Sequence, residues 1–264
     1  MSEFEPKTAV ITGGASGIGL GLARGLAAIG VKVMLADLPG ETLDAAAGKG
    51  FETRACDVSD LAQVEALAEA AFATFDTVDL LFNNAGVNGP SGKLWEVDPA
   101  AARAHFDVNY WGVWNGCRAF AARMIEQDTS SAIYNTGSEN SLFCAVPQTA
   151  AYISAKHAVL GLTESFREDL PQHVHAGTII PGWVHTAIGP DKVMRNGMAV
   201  EEYIDIILPQ ILARRRFVVS HGYNEVRIAE RMDELSASYA NHALPKEEDA
   251  KYDVRRVIAR MRHG

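Results

Sequence analysis

Short β-branched runs alternate along the chain with longer segments in which apolar residues recur every three or four positions. Residues 7–11, 31–36, 52–56, 78–82, 131–135 and 174–180 read as strands. Residues 18–29, 61–75, 99–127 and 150–170 read as helices. Strand and helix in rotation is the pattern of a parallel sheet with helical, right-handed crossovers. No linker rich in Pro, Gly or Ser interrupts the rotation, so residues 1–264 read as a single doubly wound, Rossmann-like α/β domain. Beyond Trp183 the rotation lapses. Residues 188–224 form a candidate substrate-loop region, with one or two helices before residue 212 and a last strand at 217–220. Residues 225–264 form a helical, charged C-terminal extension. Residues 225–239 have helical period, whereas KEEDAKYDVRRVIARMR is either a surface helix, with Val254, Val257, Ile258 and Met261 on one stripe, or a frayed end.

Composition narrows the function classes. The 264 residues allow one large domain or two small ones, and a net charge of −9 argues against a broad nucleic-acid or anionic-membrane footprint. The dense basic run Arg214, Arg215, Arg216 is too short to reverse that. The longest apolar runs are strand-sized, far below the roughly 20 residues that span a bilayer. The start, MSEFEPKTAVITGG, is acidic where a signal peptide would be basic, so a cytoplasmic location is expected. Cys56, Cys117 and Cys144 are odd in number and lack a C-x-x-C pair, which argues against disulfides or a metal site and for buried thiols.

The first chemical motif, TGGASGIG, runs from Thr12 to Gly19 between the first strand and the first helix. Gly13, Gly17 and Gly19 permit a tight turn and close backbone approach, and Ser16 and Ile18 complete a loop that presents a helix N-terminus to a pyrophosphate. Its G-x-x-x-G-x-G spacing differs from the commoner G-x-G-x-x-G. Asp37, about 20 residues past the glycines at the end of the second strand, suits the adenosine ribose hydroxyls. It would repel a 2′-phosphate that Ala15 cannot compensate, which favours NAD over NADP. Asp57 and Val58 follow the third strand and either meet the adenine edge or merely form a turn. The second motif places Tyr152 and Lys156 at i and i+4 on one helical face. A phenol titrates near 10, so a neighbouring ammonium is needed to make it a useful base.

Together these motifs resemble the short-chain dehydrogenase/reductase family over roughly residues 6–190. The matching strings are TGGASGIG, Asp37, the Asp57-Val58 pair, NNAG at 83–86, VNYWG around Asn109, NTGSENS, YISAK at 152–156 and PGWVHT at 181–186. The resemblance implies a catalytic tetrad of Asn109, Ser138, Tyr152 and Lys156. It further implies that Asn84, Ala85 and Gly86 line the adenosine ribose, and that Val184 and Thr186 meet the nicotinamide carboxamide. On their own, NNAG would be a turn and Asn109 a polar helix residue. Two departures stand out. The family serine lies thirteen residues before the tyrosine, a place held here by Glu139. Ser138 is chosen because NTGS aligns with the end of the fifth strand, with Ser141 the alternative. The C-terminus, FVVSHGYNEVRIAERMDEL and a charged tail, differs from the strand and D-G-G loop of many relatives.

The implied reaction is hydride transfer between a nicotinamide and a secondary alcohol or ketone. Tyr152 moves the hydroxyl proton, Ser138 binds the substrate oxygen, Lys156 holds the nicotinamide ribose, and Asn109 positions a relay water. Beside Ser138 and Tyr152, the apolar residues Phe143, Val146, Trp183, Ile188, Val193 and Met194 suit a hydrophobic or aromatic alcohol, unless they are core or interface packing. The alternatives are an NADP-dependent carbonyl reductase and a non-catalytic dinucleotide-binding protein. No metal is expected. The resemblance also implies a homodimer or homotetramer joined by two helices, with Trp111, Val113, Trp114, Phe120 and Met124 on one and Val159, Leu162, Phe166 and Leu170 on the other. Residues 225–239 would then cover the substrate mouth or a neighbouring subunit.

Overall fold

All seven strand-like runs enter one sheet: β1 Thr8–Thr12, β2 Lys32–Asp37, β3 Glu52–Ala55, β4 Leu80–Asn83, β5 Ser131–Thr136, β6 Val174–Ile180 and β7 Phe217–Val219. The computed structural model describes residues 4–244 and 246–263. Every strand pairing is parallel, in the order β3-β2-β1-β4-β5-β6-β7. Helices cross between strands: α1 Gly17–Ala28, α2 Glu41–Ala47, α3 Leu61–Phe75, α4 Pro99–Phe106, α5 Gly112–Glu126 and α6 Ala150–Asp169. α7 Asp191–Met194 and α8 Val200–Leu212 separate β6 from β7. The described chain divides into two compact units, Met1–Gly222 and Tyr223–Gly264. The second contains α9 Asn224–His242, a short 3-10 segment and α10 Val254–His263. Within it Val254, Ile258 and Met261 are exposed.

A parallel sheet covered on both faces leaves no side chain of its central strands in water, so β1, β4 and β5 are buried throughout, apolar along their middles and polar only near their ends. Alternation then sorts them. Ala9 and Ile11 pack with Leu22, Leu26 and Ile207 on the α1/α8 face, while Val10 packs with Val64, Leu67, Phe120 and Val159 on the other. Each such fully buried Leu, Ile or Phe contributes about 1.5–3 kcal/mol. A buried polar chain crosses the second face. Asn83 Nδ2 donates to Asn135 Oδ1 at 2.8 Å, and Asn135 Nδ2 donates to Thr163 Oγ1 at 3.0 Å. It ties the ends of β4 and β5 to α6, the helix that carries Tyr152.

Four sequence expectations need correction. The helix expected over 99–127 is two helices, joined through a π-helical turn at Asp107–Trp111. Helical period continues through such a bulge, because one extra residue shifts the ladder without ending it. Helix α2 was not among the expected elements, since seven residues hold barely two turns of apolar period. Cys144 is exposed, whereas Cys56 and Cys117 are buried and their thiols are pushed up to about 11 and 12 by desolvation. Most of the apolar stripe assigned to subunit contacts faces the core. Val113, Phe120, Met124 and Val159 are buried, while Trp111 and Trp114 are 45% and 41% exposed. α5 and α6 spend these side chains on the sheet. Among the described residues no helix is long and apolar enough to cross a membrane.

Candidate active site

The motif residues all follow the carboxyl ends of strands. Since strand order reverses between β1 and β4, their loops diverge there and leave a crevice. The glycine turn leaves β1 with Gly13 at φ +61° and Gly17 at φ +49°. A Cβ on Gly13 would lie 2.7 Å from Ala85 Cα, and one on Gly19 would lie 2.2 Å from Gly13 O, so neither position has room for a side chain. Ser16 caps α1 with extended backbone but no side-chain hydrogen bond to it. The first amides of α1 therefore keep their donors for an anion. Thr186 faces this turn, 3.2 Å from where a Gly17 Cβ would lie, and the two border a cleft of about 420 Å³ with Arg24, His185 and Asp191. Bare helix amides beside a side-chain-free cradle fit a dinucleotide pyrophosphate.

Asp37 ends β2 half-buried. Its Oδ2 accepts from Ala15 N at 2.9 Å and its Oδ1 from Leu38 N at 2.9 Å. The carboxylate thus staples the glycine turn and still has lone pairs for further donors. Asn84 also has a local partner. Its Nδ2 donates to the carbonyls of Thr12 (3.0 Å) and Gly13 (3.3 Å), so the side chain binds the turn's backbone. Thr12 Oγ1 accepts from the N–H groups of Asn84 and Ala85, holding β1 against the loop after β4. Asp57 is likewise engaged locally, accepting from Ser59 N and Ser59 Oγ. Val58 is buried in the core, and its carbonyl takes the Asn115 amide at 2.9 Å.

At the start of α6, Tyr152 and Lys156 share the helix face that looks back at β5. Lys156 is 4% exposed and its Nζ donates to Thr136 O at 2.8 Å, 5.8 Å from the Tyr152 ring centroid. Desolvation lowers its pKa to about 8. Burial raises that of Tyr152, opposed by a hydrogen bond from the Ser138 side chain and reinforced by the charge of Glu139. The phenol is therefore held neutral in the cofactor-free protein.

The two candidate serines separate by geometry. Ser138 Oγ accepts from Asn140 N at 3.1 Å and caps the 3-10 turn Glu139–Ser141, while its side chain reaches Tyr152. Ser141 Oγ donates to Lys156 O at 2.7 Å and accepts from Ser138 N at 3.1 Å, which fixes the turn onto α6. Asn109 lies in the π turn, 0% exposed, with its amide on the backbone of Val87 and His105. A Cβ on Gly86 would lie 2.9 Å from Asn109 Oδ1 and 3.8 Å from Lys156 Nζ, so Gly86 leaves space between the two.

The apolar candidates border the same end. Val146, Trp183, Ile188 and Val193 are exposed, whereas Phe143 and Met194 are half-buried. Asn88 Nδ2 donates to Ile188 O, joining the loop after β4 to the loop after β6. Val184 is buried and bridges Met198 in parallel. Sequence reasoning missed Thr12, Thr136, Asn140 and His105. The signal for His105 was available, since it precedes Asn109 by one helical turn, the same spacing that joined Tyr152 to Lys156.

The model of the short chain dehydrogenase family matches residues 7–196. The 1-deoxy-11-beta-hydroxypentalenate dehydrogenase of Streptomyces avermitilis is 33% identical over 246 residues, covering 88% of this chain and 91% of its own. A short-chain dehydrogenase/reductase from Burkholderia phymatum, solved in complex with NAD, superposes with a TM-score of 0.81 at 32% identity, covering 90% of this chain and 97% of its own. A short chain dehydrogenase from Burkholderia cenocepacia J2315, solved in complex with NADP, gives 0.78 at 28%, covering 92% and 100%. With its glycine turn, its tyrosine and lysine one turn apart on α6, and this match over most of its length, the chain belongs to the short-chain dehydrogenase/reductase family of oxidoreductases.

Proposed function

We propose that the protein is an NAD-dependent dehydrogenase that oxidises a secondary hydroxyl on a hydrophobic or aromatic substrate. The carrying observation is the grouping of Ser138, Tyr152 and Lys156, with the serine side chain acting on the phenol and the Lys156 ammonium 5.8 Å from its ring centroid. A nicotinamide dinucleotide, when bound, supplies the hydride acceptor. Gly13, Ser16, Gly17, Ile18 and Gly19 would receive its pyrophosphate, Asp37 its adenosine ribose, and Val184 and Thr186 its nicotinamide side. Asp57 and Val58 would border its adenine, and Asn84, Ala85 and Gly86 its adenosine ribose, with Asn84 also holding the backbone of the glycine turn. Ser138 Oγ orients the substrate oxygen, Tyr152 Oη takes the hydroxyl proton, and Lys156 stabilises the phenolate that precedes that step. One Lys156 hydrogen is committed to Thr136 O, which leaves two for a ribose and the relay. Asn109 holds the water through which the proton leaves.

Exposed Trp183, Ile188, Val146 and Val193, with half-buried Phe143 and Met194, favour an apolar substrate body. The hydroxypentalenate dehydrogenase is named for a hydroxy compound, which supports oxidation at a hydroxyl group. Purified protein assayed with NAD and with NADP against aliphatic, alicyclic and aryl secondary alcohols, followed by nicotinamide absorbance, tests the reading. Turnover with bulky apolar alcohols and NAD is expected, and an empty panel overturns it. Ser138→Ala should lower kcat by about 100-fold or more. Ser141→Ala should chiefly reduce thermal stability, by about 1–3 kcal/mol, since it removes the acceptor of one buried donor and the donor to Lys156 O. A greater kcat loss in Ser141→Ala would reverse the assignment.

The reading includes a homo-oligomer, dimer or tetramer. Trp111 and Trp114 present adjoining indoles, 5.6 Å between ring centroids, on an exposed face. Light scattering at micromolar concentration should give at least twice the 28.5 kDa chain mass, falling towards one chain in Trp111→Glu/Trp114→Glu. A single-chain mass for the unaltered protein overturns the association.

A further inference from the structure

His105 is a buried titratable side chain to which the reaction above gives no task. It lies on α4, is 3% exposed, and stands one turn before Asn109. The backbone fixes which way the Asn109 amide faces. Its Oδ1 accepts from Val87 N at 3.3 Å, and its Nδ2 faces the carbonyls of Val87 (3.1 Å) and His105 (3.2 Å). The same Nδ2 lies 3.1 Å from His105 Nδ1. An amide nitrogen has hydrogens to give and no lone pair to offer, so this contact is a hydrogen bond only when Nδ1 carries no proton. The neutral ring must then carry its hydrogen on Nε2. Burial, and next the Lys156 charge, lower the ring's pKa and keep it neutral, against a smaller pull from the Asn88 backbone.

The rest of the ring is braced. A Cβ on Gly89 would lie 3.1 Å from His105 Cε1 and Nδ1, so the imidazole packs directly on glycine backbone. Its other neighbour is Tyr152, with ring centroids 5.9 Å apart and planes at 45°. His105 Nε2 is buried with no partner at hydrogen-bond distance and angle among the described residues, the Asn88 backbone acting on the ring only from outside that geometry. A leucine would fill comparable space without an unpaired donor, so packing alone does not account for a histidine here. The π turn adds to the arrangement. Its wider ladder pairs Gly112 N with Asp107 O and turns the Asn109 side chain onto the His105 carbonyl.

We propose that His105 is a positioning residue for proton transfer: its unprotonated Nδ1 takes a hydrogen of the Asn109 amide while its ring braces Tyr152, setting the two groups relative to each other. The proposal rests on the dehydrogenase reading, and its test has one arm that does not. Nitrogen chemical shifts of the full-length, cofactor-free protein near neutral pH should show His105 neutral with its hydrogen on Nε2, its signal assigned by loss in His105→Asn. A charged ring, or one protonated on Nδ1, overturns the proposal whatever the substrate. In the kinetic arm, His105→Leu should lower kcat about 10-fold or more while the substrate KM and NADH affinity change less than about two-fold. His105→Asn, whose Oδ1 accepts near the place of Nδ1, should regain most of that loss. If His105→Leu does not fold, His105→Gln replaces it, since its acceptor lies one bond too far. A leucine or glutamine variant as fast as the unaltered enzyme, or an asparagine variant no better than either, overturns the proposal. An alcohol panel with no turnover instead overturns the dehydrogenase reading, and the tautomer then decides the bond to Asn109.

Discussion

Tyr152→Phe is expected to lower kcat by about 1,000-fold, within the range for a positioned general acid or base, while NADH affinity stays within about two-fold. Only the phenolic oxygen and its proton are removed. The ring's place against His105 is kept, and Lys156 retains its bond to Thr136 O. Stopped-flow turnover with tryptophan-to-NADH energy transfer for binding measures both. More than a tenth of the original rate would end the acid/base assignment. The pH dependence follows from the direction of the shift. A phenol whose pKa burial has raised stays protonated to higher pH, and oxidation of an alcohol requires the phenolate. In that direction kcat/KM should therefore climb as pH rises into the alkaline range. Reduction of the ketone, which needs the phenol, should fall over the same range. Cations beside Tyr152 move the transition down. In the cofactor-free protein Lys156, with a pKa near 8, surrenders its charge over that range, so the lysine cannot supply the whole effect. Both limbs should flatten in Tyr152→Phe.

The second large effect concerns the cofactor's adenosine end. NAD is expected to exceed NADP by about 100-fold, and by at least 10-fold, in kcat/KM, and Asp37→Ser should remove most of that ratio. A carboxylate that accepts from ribose hydroxyls would instead face a phosphate dianion, and exchanging one charge-assisted contact for repulsion costs about 2–3 kcal/mol. The structure adds a second consequence. Because Asp37 Oδ2 also accepts from Ala15 N, the serine variant should lose some affinity for both cofactors as the turn slackens. Steady-state kinetics with each cofactor tests this. Equal efficiency with NAD and NADP in the unaltered enzyme would refute the role given to Asp37.

Local periodicity carried most of the architecture, because a parallel strand buried on both faces and a helix packed on one must each repeat their apolar residues at fixed intervals. Residues 61–75 were read as the helix that forms there, and β6 spans the expected 174–180. The pairing of Tyr152 with Lys156 was legible for the same reason, since four residues make one helical turn wherever the helix sits. Side-chain direction was not legible at that level. Asn84 could face a ligand or the turn beside it, and the choice fell to the Thr12 and Gly13 carbonyls brought there by β1 and β4 pairing. Val113, Phe120, Met124 and Val159 formed an apolar stripe whose partner, sheet or subunit, depended on how α5 and α6 settle on β4 and β5. Ser138 parted from Ser141 only when a capped turn set one hydroxyl towards Tyr152 and tied the other to Lys156 O. His105 gained a neighbour in Tyr152, 47 positions away in sequence. Contacts of this kind arise between segments that only the closed sheet brings together. The chain by itself determined its periods and the chemistry available at each position, while tertiary packing decided which of those groups meet.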